Sequence, residues 1–336
     1  MAKRSGHTVT LDKKVYINKY ACVGGKKEME GPLGNFLDLT SEDNKFGQQT
    51  WEKSESKMQE LAIKALIKKS GYSPSDIDMV FGGDLLNQCI GSSYGVRSLD
   101  IPFVGLYGAC STMALSSILA SMSVESGYAK RSIAITSSHF CSAERQFRFP
   151  LEYGCQRTEN SQWTVTGSGC VLISEEKSKV SISQCTVGKI TDYNISDMNN
   201  MGAAMAPAAA DTLLNFFKDT NTNQDDYDYI FTGDLGLVGK QLLITLMEKE
   251  GYDIKDKYND CGCLIYSFED KDIKSGASGC GCSALTLCTY VLPKLENGDY
   301  NKVLFMATGA LMSTTSSQQG ESIPSIAHLI VLNREE

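Results

Sequence analysis

Cys110 stands in the string YGACSTM, where a short apolar run gives way to small residues. A thiol at the start of a helix sees unpaired backbone N–H groups and the positive end of the helix dipole, and both favour thiolate. Such a cysteine is a nucleophile or part of an anion-binding helix end. The plainer alternative is a small residue filling a tight strand–helix turn. Asp84 in GGDLLNQ and Asp234 in TGDLGLVG each follow a glycine at the carboxyl end of a strand. Ligands collect at that edge of open α/β sheets. Either carboxylate could instead cap the segment after it. The sequence favours capping for Asp234 and leaves Asp84 the more open candidate.

His139 opens a long polar and aromatic loop, HFCSAERQFRFPLEYGCQR, with Glu144, Arg145, Arg148, Tyr153 and Arg157. Arginines beside Phe147, Phe149 and Tyr153 suit a flat carboxylated ligand. The same composition suits a lid or dimer-contact loop tied down by Arg–Glu pairs. His328, in SIPSIAHLIVL, enters the last strand. It could face a thiolate across a cleft or be a hydrogen-bonded core residue. The candidate ligand-binding residues are therefore Asp84, Cys110, His139, Arg145, Arg148 and His328. Cys110 is the catalytic candidate if the protein is an enzyme. Cys261 and Cys263, like Cys280 and Cys282, are spaced C-x-C rather than as the usual zinc ligands, and no metal is expected. Phosphate-binding glycine patterns and a serine nucleophile elbow are missing, so no cofactor is expected.

The elements that must position these residues alternate. Met58, Leu61, Ala62, Ala65 and Leu66 have helical spacing, and Gly71 ends that helix. Ile77–Phe81 and residues 101–107 read as strands. Ser111–Val124 is apolar or small almost all round and reads as a buried helix closed by Gly127. Residues 132–138 form another strand. This alternation predicts an α/β fold with crossover helices. The pattern also repeats. DIDMVFGGDL at 76–85 returns as DYDYIFTGDL at 226–235, with six identities in ten positions. Cys110-Ser111 returns as Cys282-Ser283, and RSIAITSS as NKVLFMAT. One fold is used twice, as halves 1–178 and 179–336.

Composition bounds the function. The chain has 336 residues, 42% hydrophobic and 21% charged, with net charge −8. Disorder is excluded, and an acidic surface argues against nucleic acid as a partner. The N-terminus carries no apolar signal region, and no apolar run approaches a membrane span, so an intracellular protein is expected. Its twelve cysteines are then reduced, and most are small buried hydrophobes.

The duplicated halves and the cysteine at a buried helix start resemble the thiolase fold, a dimeric architecture with a five-layered αβαβα core. The strings GDLLNQ (83–88), GACST (108–112), AERQFR (143–148), TVTGSG (164–169), AMAPAAADT (204–212), TGDLG (232–236), NDCG (259–262), ATGAL (307–311) and ESIP (321–324) are similar to the stage V sporulation protein AD family, in order over nearly the whole chain. The resemblance implies a protein that binds dipicolinic acid (pyridine-2,6-dicarboxylate), with or without calcium. It would support uptake of that ligand into the developing spore. Other stage V sporulation membrane proteins are its implied partners, the spore inner membrane its implied peripheral location, and a homodimer its implied state. Cys110 matches the thiolase-fold nucleophile position. The Gly-His-Pro motif of thiolases would fall near Gly279–Cys280–Gly281, and the His-Gln-Ala-Asn stretch of ketoacyl synthases near Thr232–Asp234; neither histidine is there. Thiolases place a second cysteine just before the last strand, where this chain has Ser325. Losing a proton shuttle costs roughly 10²–10⁴ in rate. Binding is therefore favoured over an acyl-CoA-type acyltransferase or condensing enzyme using Cys110.

Overall fold

A computed structural model describes residues 2–147 and 157–336. Two sets of five strands carry the fold. In the first set the order is Phe103–Gly105, Met79–Gly83, Arg131–Ser138, Gly167–Ser174, Thr8–Gly24. In the second it is Tyr258–Asp260, Tyr229–Thr232, Lys302–Ala310, Ser325–Arg334, Val180–Thr186. Pairing directions match strand for strand: the first three of each set are parallel, and the rest antiparallel. The sets join where Thr8–Gly24 pairs with Val180–Thr186. The repeated GDL strings end equivalent strands.

Helices form the other layers. Trp51–Ser70 and Ile90–Val96 cover the outside of the first set, and Met201–Thr220 and Gly236–Lys249 that of the second. Between the sets lie Thr112–Glu125 and a helix that runs from Cys280–Thr286 through a π turn at Leu287–Val291 into Leu292–Asn297. The result is five layers. The middle helices are buried on nearly every face, as their lack of amphipathy requires. Their hydroxyls stay satisfied without water: Ser117 donates to the Met113 carbonyl at 2.8 Å and Ser121 to the Ser117 carbonyl at 2.7 Å.

Glycines end the helices as the sequence predicts. Gly71 (φ 77°), Gly127 (φ 79°) and Gly298 (φ 85°) all take the left-handed conformation. Two strands differ from expectation. Ile77–Phe81 is shifted to Met79–Gly83, because a 3₁₀ turn at Pro74–Asp76 ends on Ile77. The run 101–107 shortens to Phe103–Gly105, an edge strand whose chain leaves early to build the turn at Cys110.

Candidate functional site

Cys110 is placed by a strained turn. After Gly108, Ala109 takes φ 48°, unusual for a residue with a Cβ, and residues 109–111 wind one 3₁₀ turn into the helix Thr112–Glu125. Ser111 and Thr112 lock it by donating to the carbonyls of Gly108 (2.6 Å) and Ala109 (2.7 Å). The second half presses on this turn through Gly309, whose missing Cβ would lie 2.3 Å from the Gly108 oxygen. The site therefore lies where the halves meet.

The groups that face Cys110 come from the second half. Its thiol hydrogen-bonds the Asp234 carboxylate, and Cys280 is a close neighbour. Asp234 Oδ2 accepts from the Gly279 N–H at 2.8 Å and the Ser278 hydroxyl at 3.1 Å; Oδ1 accepts from Thr308 at 2.9 Å. Cys280 donates its S–H to the Ala109 carbonyl at 3.0 Å. Burial first, then the Asp234 charge, pushes the Cys110 thiol well above its ordinary pKa. This reverses the expectation of a thiolate. A helix start lowers a thiol pKa when water shares the site, but here burial and a buried anion outweigh the dipole.

A cavity of about 440 Å³, counting its open mouth, reaches this thiol. Its walls include Leu85, Tyr107, Phe147, Thr164, Ser278 and Met312, with Glu144 as a charged wall residue. Glu144 accepts from Thr164 at 3.1 Å and lies 3.8 Å from Arg157. The cavity is mostly apolar with a few convergent hydroxyls, the usual make-up of a small-molecule pocket.

The other predicted residues are dispersed. Asp84 is fully buried and caps its own corner, accepting from the backbone N–H groups of Leu86 (2.8 Å) and Ser92 (2.7 Å) and the Ser92 hydroxyl (2.6 Å). The sequence reading of the two aspartates is thus inverted: Asp84 caps and Asp234 meets the thiol. His139 points away from Cys110. Its Nε2 donates to the Asn44 carbonyl at 2.8 Å, leaving Nδ1 to accept from the Cys141 N–H at 3.2 Å. Arg145 pairs with Glu52 at the surface. His328 is buried in the strand Ser325–Arg334, where Nδ1 accepts from the Gly188 N–H at 3.2 Å. Burial drives its pKa down to about 4, so it is a neutral core residue. Arg148, with Phe149 and Tyr153, lies outside the described residues. Cys261, Cys263, Cys280 and Cys282 form no metal-binding group among the described residues.

Sequence reasoning missed three buried acids, Glu28, Glu55 and Asp260. Glu55 accepts from Ser137 and Ser142, and burial together with the nearby Asp84 pushes it up to about 8. Asp260 accepts from the N–H groups of Leu235 (2.9 Å), Gly236 (2.8 Å) and Gly262 (2.9 Å), and burial pushes it up to about 7. Asp260 carried a signal in NDCG beside the repeated TGDLG. Glu55 sits among ordinary helical polar residues and carried none.

The chain matches the family described as Stage V sporulation protein AD over residues 5–333. It is 43% identical over 327 residues to the Stage V sporulation protein AD of Bacillus subtilis (strain 168), covering 97% of this chain and 96% of that protein. The chain belongs to the stage V sporulation protein AD family. Solved structures place this family member in the thiolase fold. The 3-oxoacyl-[acyl-carrier-protein] synthase III of Aquifex aeolicus VF5 superposes with a TM-score of 0.59 at 11% identity, covering 95% of this chain and 99% of that one. The Acat5 thiolase of Ascaris suum in complex with coenzyme A gives 0.59 at 10% identity, covering 96% and 100%. An OleA variant of Xanthomonas campestris gives 0.61 at 11%, covering 96% and 99%. At such identities they show the fold alone. The chain is thus a sporulation-family protein on a thiolase scaffold. Among its described residues, no helix is long and apolar enough to cross a membrane.

Proposed function

We propose that this protein is a non-catalytic binding protein for dipicolinic acid, supporting uptake of that ligand into the developing spore. One observation carries the loss of catalysis. The two segments where thiolase-fold catalysts would hold their histidines, Gly279–Cys280–Gly281 and Thr232–Asp234, are the ones that touch Cys110. They offer it a thiol and a carboxylate. Both hold the sulfur protonated, so the pocket is retained while the nucleophile is silenced. The ligand itself is supported by family membership. A homodimer and a peripheral place among other stage V sporulation proteins at the spore inner membrane belong to the same reading.

Calorimetry with dipicolinate and pyridine-2,4-dicarboxylate, each with and without Ca²⁺, tests it. Selective binding of the 2,6-isomer is expected; equal weak binding of both isomers overturns the reading. A second reading, acyl transfer, draws on Asp234 as a base hydrogen-bonded to the thiol. It requires an acyl adduct on incubation with acyl-coenzyme A, seen by intact mass and removed by Cys110→Ala.

A further inference from the structure

The corner that holds Asp84 contains a second carboxylate. Glu55, on the helix Trp51–Ser70, and Asp84, just after the strand Met79–Gly83, are both fully buried. They close on Gly91 together: a Cβ there would lie 3.1 Å from Asp84 Cγ and 3.3 Å from Glu55 Cγ. A chain of hydroxyls and one amide joins them. Ser92 donates to Asp84 Oδ2 at 2.6 Å, and the Gln59 amide donates to Ser92 Oγ and Ser137 Oγ, each at 2.8 Å. Ser137 donates to Glu55 Oε1 at 3.1 Å and Ser142 to Oε2 at 2.8 Å.

The groups around the pair bring it no cation. Glu52, on the same helix as Glu55, pairs with Arg145 at the surface. Cys89 and Tyr107 stand near Asp84, and Cys280 faces both carboxylates; burial raises the pKa of all three and keeps them neutral. On Phe140–Phe147, burial also keeps Cys141 neutral, and Glu144 faces the Cys110 cavity. His139 is turned to Asn44 with its pKa lowered by burial. The helix Ile90–Val96 offers Gly91 and Ser92 here, with Tyr94 exposed. The strand Arg131–Ser138 offers Ser137, and its Arg131 pairs with Glu176.

Two buried carboxylates without a counter-ion hold one proton between them. Asp84 receives backbone N–H groups and suits the anion. Glu55 receives hydroxyls, which accept as readily as they donate and so suit a carboxyl. If the proton leaves, two anions face each other until water reaches one of them. The covers of Glu55 differ in how easily they admit it. Ile90–Val96 is pinned to Asp84 by the Ser92 N–H, and Ser137 lies in a strand paired on both sides. The eight-residue helix Phe140–Phe147 is tied to Trp51–Ser70 by Ser142–Glu55 and by the exposed Arg145–Glu52 pair, which adds little. Its first residue stacks on Trp163 at 4.1 Å. The rest of it carries Ala143, Glu144 and Phe147, walls of the Cys110 cavity.

We propose that the Glu55–Asp84 pair is a proton latch on the cavity wall: with one proton in the pair the helix Phe140–Phe147 is seated, and loss of that proton admits water beneath it and loosens the wall. The latch does not depend on which ligand the cavity takes. Seated, Glu55 is held up to about 8 by burial and Asp84; opened to water it returns toward 4.5. The seated helix is therefore most favoured below pH 4.5 and loses that advantage as pH rises to 8.

Hydrogen exchange of the unliganded full chain between pH 5.5 and 9, followed by peptide mass, tests this. Each rate is divided by the intrinsic rate of its sequence at that pH. Residues 140–147 should exchange faster than the buried helix Thr112–Glu125. Their protection should fall by up to tenfold per pH unit, the limit for one proton released on opening, and level off near pH 8. Glu55→Gln should remove the fall. Protection of 140–147 that is flat across this range, or a fall that Glu55→Gln leaves intact, overturns the proposal. So does exchange of the two segments together, since the corner would then open only when the whole fold does. Should Glu55→Gln not fold, Asp84→Asn is read in its place. With the opposing anion gone the fall should level off at lower pH than in the parent, and an unchanged profile overturns the latch.

Discussion

The two GDL corners share a sequence and a strand position yet hold their aspartates differently. In the first half, Asp84 turns back on its own chain and binds the Leu86 and Ser92 N–H groups. In the second, the Gly236 N–H, which matches that of Leu86, is taken together with the Leu235 N–H by Asp260. Register explains the exchange. Gly82 pairs with Gly105 in the first half, and Thr232 pairs with Asp260 in the second, so Asp260 stands where the first half has a glycine. A second carboxylate at that rung does the capping and releases Asp234 to cross to Gly279, Thr308 and Cys110. Duplication thus gave two identical corners, and one residue on the neighbouring strand separated a structural acid from an acid at the site.

The largest expected effect attacks that separation. Asp234→Ala strips an acceptor from the buried Ser278, Gly279, Thr308 and Cys110 donors and should destabilise the fold by about 3–5 kcal/mol. Asp234→Asn keeps the shape and removes the charge. In that variant the alkylation of Cys110 by iodoacetamide should begin at lower pH than in the parent, because the buried anion no longer opposes thiolate. Asp84→Asn should destabilise without moving the Cys110 profile. If both changes shift the thiol equally, the corners are not different in the way described. The measurements are thermal melts and the pH dependence of alkylation followed by peptide mass.

What the sequence disclosed follows from which interactions are local. Helix ends at Gly71, Gly127 and Gly298 need only a positive φ, which a single residue type announces. The buried helix at Thr112–Glu125 is announced by its own uniform apolarity. The repeat is visible because both halves must build the same strand–turn–helix units. The state of Cys110 is not local. It is fixed by Ser278, Gly279 and Thr308, which lie 44, 45 and 74 residues from Asp234 in sequence and hold that carboxylate against the thiol. His139 shows the same limit. The sequence reads a loop from His139, but Phe140–Phe147 is a helix, and it sends His139 to the far side of Glu144 and Phe147, toward Asn44.

The next effect sharpens the first corner. Glu55 and Asp84 are both buried, and the folded state holds Glu55 up to about 8 against an unfolded value near 4.5. Between those values the folded protein binds more protons than the unfolded one, so stability is greatest below pH 4.5 for this group and is lost as pH rises toward 8. Glu55→Gln accepts from Ser137 and Ser142 without carrying charge. It should raise stability at pH 8 by one to a few kcal/mol and flatten the fall in melting temperature between pH 5 and 8. An unchanged slope would mean that Asp84, not Glu55, carries the shared proton, or that the second half dominates through Asp260.

The smallest effect tests the second half one rung further along. The rungs Gly82–Ile135–Cys170 and Thr232–Met306–Leu329 are equivalent, so the next residue back is Gly169 in one half and His328 in the other. Gly169 lets the helix at Ala284 approach closely, since a Cβ there would lie 2.8 Å from the Ala284 oxygen. His328 fills its rung and accepts from Gly188. With a folded pKa near 4 and an unfolded value of 6.5, the neutral ring's contribution is complete above pH 6.5 and is lost as pH falls toward 4. This runs opposite to Glu55. His328→Gln should cost only about 1 kcal/mol at pH 7, the worth of one hydrogen bond, and should flatten the acid limb of the stability curve between pH 6.5 and 4. A variant that keeps the acid limb would assign it to other groups. It would also leave the two halves alike at this rung, differing only at Asp260.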